Sequence, residues 1–179
     1  MKILKRVLFV IVGIVILALV VALFVKKDYA VEREVTINRP EPEVFDFIKH
    51  IKNQDQYSVW NNLDPAMKKS YSGTDGTVGF KYSWESTNKN VGKGEQEIVK
   101  ITEGDRIDMK LRFKEPFDAE DDAYMTTEAI GADKTKVKWG FTGKMAWPMN
   151  LMMLCMKMEE MIGKDLQSGL DKMKTTLEK

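Results

Sequence analysis

Ile107, Met109, Leu111 and Phe113 alternate with Asp108, Lys110, Arg112 and Lys114. A spacing of two sets the apolar residues on one face of a strand and the charged residues on the other. Phe80, Tyr82 and Trp84 repeat the pattern against Lys81, Ser83 and Glu85, and the period persists for about seventy residues from Ser70 onward. Turn signals at Thr74-Asp75-Gly76, Glu103-Gly104-Asp105, Asp118 to Asp122 and Gly131 to Lys134 cut this stretch into strands. A long antiparallel meander with one wet and one dry face follows.

The dry face needs a cover. Tyr29 to Ile37 supplies a first strand, with Val31, Val35 and Ile37 on alternate positions. Pro42 and Glu43 suit a first helical turn, and Val44, Ile48 and Ile51 continue at helical spacing. Pro148 opens a last helix along which Leu151, Cys155, Met158, Ile162, Leu166, Leu170, Met173 and Leu177 form one apolar stripe. The expected class is α+β: a curved antiparallel sheet of about seven strands around one long C-terminal helix.

Ahead of this domain, "VLFVIVGIVILALVVALFV" (Val7 to Val25) is nineteen residues without a charge. As a helix it nearly matches a hydrocarbon core of roughly 30 Å. A cleaved signal has a shorter core and a small-residue cleavage site, whereas this run passes directly into Lys26-Lys27. The expected organisation is an anchor with its flanks over 1–27 and one domain over 28–179. Lys2, Lys5 and Arg6 on one flank, against Lys26, Lys27 and Arg33 on the other, set the domain outside the cytoplasm by a narrow bias.

Of the 28 basic residues, Lys2, Lys5 and Arg6 precede the apolar run, which leaves 25 from Lys26 onward against 27 acidic ones. No positive stripe emerges to neutralise phosphates, so nucleic acid is not an expected partner. Cys155 is the single cysteine, which excludes an internal disulfide and a thiolate metal cage. No cofactor or metal is expected, and the domain is expected to be monomeric.

The order strand, short helices, six strands, long helix resembles the START and polyketide-cyclase-like superfamily, also called SRPBCC, with the helix-grip fold of the birch pollen allergen. "VEREVTINRPEPEVFDFI", "WNNLDP", "YSGTDGTVGFKYSW", "VGKGEQEIVKI", "LRFKEPF", "TKVKWGF" and "GKDLQSGLDKMK" carry the resemblance in their order and spacing. Together they resemble the bacterial cyclase-like branch with an N-terminal membrane anchor. The resemblance implies a cavity between sheet and helix for an apolar or amphipathic small molecule. It does not imply a reaction, because such folds host carriers, receptors and cyclases alike.

Trp60, Phe80, Tyr82, Trp84, Phe113, Trp139 and Phe141, with Met158 and Ile162 on the last helix, are the expected ligand-lining residues. Eight of the twelve methionines lie between Met145 and Lys174. Three readings stand for them: a soft cavity wall against the sheet, contact with a membrane or lipid tail, and Cu(I) ligation by thioethers. The first is the expectation. For acid–base chemistry, Glu97 shares a strand face with Val99 and Ile101, and Glu128 with Ile130. Either, if inward, gains a raised pKa by desolvation; the alternative is an outer-face carboxylate paired with a lysine on the next strand. His50 reads as a solvated helix end and Cys155 as an unactivated thiol. "DAEDDA" reads as a solvated turn, lacking the spaced ligands of a calcium loop. The leading function is a membrane-anchored binding domain for a hydrophobic small molecule or lipid. The alternatives are a cyclase/dehydratase or isomerase using an inward carboxylate, and a protein-interaction module.

Overall fold

The computed structural model describes residues 2–179. It opens with helix α1 (Lys2–Phe24), which is long and apolar enough to cross a membrane from Ile3 to Phe24. Strands β1 (Asp28–Ile37), β2 (Lys68–Ser72), β3 (Lys81–Glu85), β4 (Lys93–Thr102), β5 (Arg106–Glu115), β6 (Ala119–Gly131) and β7 (Lys134–Lys144) then build one sheet in the order β1-β7-β6-β5-β4-β3-β2. Every neighbouring pair is antiparallel. From β2 to β7 each strand turns back on the last, and β1 closes beside β7. Helices α2 (Glu41–Lys49) and α3 (Gln54–Tyr57) fill the link from β1 to β2, and α4 (Met152–Cys155) and α5 (Met158–Leu177) follow β7.

Helix α5 lies on the inner face of the sheet, burying Leu166, Leu170 and Met173. Two glycines let it approach. A Cβ on Gly169 would press on the Trp139 ring, and one on Gly163 on the Arg33 guanidinium. Its C-terminal end is tied to the end of β1, where Lys174 Nζ donates to the Thr36 carbonyl at 2.6 Å and the Asn38 N–H donates to Glu178 Oε1 at 2.6 Å. The helix-grip arrangement expected from the sequence is the observed one.

The interior has two unlike ends. At the end distant from α1, Ile37, Ile48, Phe80, Ile98, Ile107, Met125, Leu170 and Met173 are fully buried and packed together. At the end where α1 enters, Tyr29 lies opposite Gly143, Asp121 opposite Leu111, and Phe113 opposite both Ala119 and Gly94. This second rung faces a cavity.

The last helix departs from expectation. Its stripe from Leu151 to Leu177 is interrupted: α4 ends at Cys155, Met156 takes an extended backbone (φ −101, ψ 128), and α5 begins at Met158. Contacts to α1 override helical propensity here, because the Trp147 indole N–H donates to the Leu19 carbonyl at 3.2 Å. Asn150 Nδ2 donates to the carbonyls of Ala22 at 2.7 Å and Val25 at 3.0 Å. Glu159 and Glu160 then occupy the first turn of α5, where carboxylates favour a new helix N-terminus.

Candidate functional site

A cavity of about 380 Å³ lies between the near ends of the strands and the first turns of α5, within the range of sites for small organic ligands. Most of its wall is aromatic. Trp60 meets Trp139 edge-on at 5.9 Å, Trp84 meets Phe113 edge-on at 5.8 Å, and Tyr82 tilts against Trp84 at 5.7 Å. Tyr29 stacks on Phe141 at 6.1 Å. These rings come from inward positions on β1, β3, β5 and β7, joined by Trp60 from the turn after α3, so strand alternation assembles the wall.

The structure therefore places Trp60, Tyr82, Trp84, Phe113, Trp139 and Phe141 around one space, with Met158 and Ile162 of α5 closing it. Phe80 is not among them. It sits one alternation farther along, 1% exposed in the packed end, with its ring stacked on Tyr71. Of the C-terminal methionines only Met158 reaches the cavity; Met67 is a second thioether in the wall. Met173 lies in the packed core, Met149 and Met161 are exposed, and the run from Met145 to Met156 lies beside α1 rather than under the sheet. The expectation of a methionine wall is corrected accordingly.

Polar groups punctuate this wall at few points. Asp121 is 6% exposed, and one oxygen, Oδ2, accepts from the Tyr29 hydroxyl at 3.3 Å. Its other oxygen, Oδ1, finds no partner in the protein, and neither does the Tyr82 hydroxyl. Burial pushes the Asp121 carboxyl above the usual carboxylate range, against partial relief from the Tyr29 hydroxyl and the Lys144 backbone N–H. Burial likewise raises Tyr82 and Tyr29, the latter aided by the nearby Asp121 charge. Gly143 makes the pair possible, since a Cβ there would collide with both the Asp121 carboxylate and the Tyr29 ring. Gln96, buried between β3 and β5, donates to Met109 Sδ at 2.9 Å.

Glu97 and Glu128 are elsewhere. Both lie on the outer face: Arg112 donates to Glu97 Oε2 at 2.7 Å, and Lys136 to Glu128 Oε2 at 2.9 Å. Their carboxyls are held below the ordinary value, Glu97 mainly by Arg112 and Glu128 by Lys136. The physical reason at Glu97 is a bulge between Ile98 and Lys100. Val99 is the extra residue, so Ile98 and Ile101 both point inward while Glu97 points out. Asp121 was hidden in the acidic run read as a turn; Ala119 to Asp122 instead begin β6, and alternation through Asp121, Ala123, Met125 and Thr127 turns that carboxyl inward. The signal was present, because Ala123 and Met125 share its parity. His50 Nδ1 lies 2.7 Å from the Asp46 carbonyl at the end of α2, and Cys155 is exposed.

Several solved structures share this fold. A solution NMR structure of a Thermobifida fusca protein superposes with a TM-score of 0.59 at 15% identity, covering 81% of this chain and 90% of that one. The crystal structure of Ara h 8.0201 gives 0.55 at 14% identity, over 84% of this chain and 97% of that one. BexL, a di-domain ARO/CYC from the BE-7585A biosynthetic pathway, gives 0.58 at 16% identity over 84% of this chain and 46% of its own. No curated protein matches the chain. A family model described as polyketide cyclase / dehydrase and lipid transport matches residues 29–178.

Proposed function

The chain belongs to the polyketide cyclase / dehydrase and lipid transport family, and on that premise we propose that it is a membrane-tethered domain holding a hydrophobic small molecule or lipid. The observation that carries this reading is an aromatic cavity of about 380 Å³ whose wall includes two buried polar atoms, Asp121 Oδ1 and the Tyr82 hydroxyl, without protein partners. Buried polar groups are normally satisfied, and each unsatisfied one costs stability. A ligand with an apolar body and a polar substituent relieves either of them. Helix α1, with flanks over 1–27, serves as the anchor for the domain over 28–179, and the flanking charges favour the non-cytoplasmic side. Native mass spectrometry of the full chain tests the reading. A bound lipid or isoprenoid is expected in the wild type and absent from Ala123→Leu, which puts a larger side chain into the cavity wall. A wild type that carries no ligand and takes up none from a panel of lipids sinks the proposal.

A second reading has its own observation. The Asp121 carboxyl faces the cavity with a raised pKa, which suits a general acid or base in a cyclase, dehydratase or isomerase. In that case Asp121 moves the proton and Tyr29 orients it. Asp121→Asn would then bind substrate normally yet lose turnover; unchanged turnover excludes the role.

A further inference from the structure

The twelve residues from Met145 to Met156, "MAWPMNLMMLCM", carry no charge and are bracketed by Lys144 and Lys157. They run beside the end of α1. The Met145 N–H donates to the Lys27 carbonyl at 2.9 Å, Asn150 reaches the carbonyls of Val25 and Ala22, and Trp147 reaches Leu19. From Phe24, the last residue of α1, back to Leu19 is five residues, so Trp147 bonds to the helix about 7.5 Å along its axis from the end. If α1 spans a bilayer, that depth is the interfacial zone, where tryptophan rings concentrate and amphipathic segments bury about 5–10 Å.

The segment is also greasy outward. Leu154 is 63% exposed, Trp147 45% and Met149 41%, although the segment's one buried side-chain amide, Asn150, gives its Nδ2 to the end of α1 and leaves Oδ1 without a partner. Such a patch on a protein surface marks an interaction site. The cavity opens at this same end. Its exposed lining residues are Asn90 in the β3–β4 turn and Glu115, Pro116, Phe117 and Ala119 around the β5–β6 turn. Phe117 is 65% exposed. Tyr29, the second residue of β1, stands in the cavity wall four residues after Val25.

We propose that Met145–Met156 lies in the bilayer interface alongside the last turns of α1, holds the cavity mouth against the membrane surface, and lets the cavity take its ligand, the apolar chain of a membrane lipid, directly from the bilayer. Lys26, Lys27, Lys144 and Lys157 then stand at headgroup level. The occupant of the patch is lipid rather than a partner protein because the patch is continuous with α1 and bonded to its carbonyls. This inference rests on the reading of α1 as an anchor and specifies the ligand source in the reading above.

Cys155 supplies the test, being the single cysteine, exposed, and one residue from the end of the segment. The full chain carries bimane on Cys155 and is reconstituted into phosphatidylcholine–phosphatidylglycerol vesicles. Nitroxides on the upper acyl chain are expected to quench the probe and aqueous iodide is not. A control probe at Asp133, in the β6–β7 turn, is expected to show the reverse in a Cys155→Ser background. A diazirine phospholipid in the same vesicles is expected to cross-link the segment and Phe117, Met158 or Ile162. Protein that washes off the vesicles in carbonate overturns the anchor and this inference together. Vesicle-bound protein whose probe is open to iodide, or shielded from both quenchers as a protein partner would shield it, overturns the interfacial seat alone. Cross-links on the segment with none in the cavity overturn loading from the bilayer while leaving ligand binding itself standing.

Discussion

The Tyr29 hydroxyl donates to Asp121 Oδ2 across 92 residues of sequence at 3.3 Å, joining the first strand to the sixth at the rim of the cavity. Tyr29 and Asp121 are both buried, and the carboxylate keeps one oxygen unpaired. Everything polar that a ligand meets on that side of the wall depends on this pair.

Asp121→Asn is therefore expected to raise thermal stability at pH 7. Burial lifts the folded-state pKa of this carboxyl above its unfolded value. Between those two values the folded protein binds more protons, so stability falls as pH rises through the window and stays low above it. The variant lacks that loss. Melting curves of the full chain in mild detergent should show the gap between variant and wild type closing below roughly pH 4, where both states are protonated. A gap independent of pH would show that Asp121 is not the titrating group.

Gly143→Ala should act in the opposite direction. The new methyl collides with the Asp121 carboxylate and the Tyr29 ring, and overpacking of this kind costs about 1–3 kcal/mol. Ligand retention should fall with stability, and Gly143→Ala combined with Asp121→Ala should recover part of the melting temperature. Equal losses in the single and double variants would contradict the clash.

Phe80→Ala separates core from cavity. Phe80 is fully buried in the packed end, so truncation is expected to cost about 3–5 kcal/mol. Trp84 is half-buried with one face on the cavity. Trp84→Ala should cost less than half as much while weakening ligand binding at least tenfold. Denaturant melts paired with a lipid-displacement assay read both quantities.

The outer-face carboxylates should be silent toward ligand. Glu97→Gln with Glu128→Gln is expected to leave ligand binding within twofold of wild type, because both groups pair with cations across the sheet from the cavity. Exposed pairs of this kind contribute little once screened by solvent. A loss of binding in the double variant would reopen the inward assignment.

Much of this was legible because strand alternation survives burial. A residue such as Phe113 or Trp139 declares its face by the company at positions two away, and eight expected lining residues line the cavity together. Reading failed where a local event broke the period or a distant contact overrode it. One extra residue at Val99 turns Glu97 away from the inward face its neighbours Val99 and Ile101 suggested and gives it the outer-face pairing that was the favoured alternative. Asp121 was masked by acidic neighbours that made a strand start look like a turn. The break at Met156 depends on Trp147 and Asn150 finding the Leu19 and Ala22 carbonyls of α1, each 128 residues earlier. Helical periodicity carries no trace of such a partner. Phe80 shows the remaining limit: alternation gives the face of a ring but not whether the space before it is filled.

The division of the interior bears on how such a protein diverges. The side chains that keep the sheet and α5 together gather at one end, while those that would greet a guest gather at the other. Single exchanges of ring for aliphatic, or acid for amide, can redraw the guest-facing end while the packed end that holds the fold stays intact. The scaffold tolerates wide change in sequence, as solved structures of the same fold at 14% and 16% identity to this chain show.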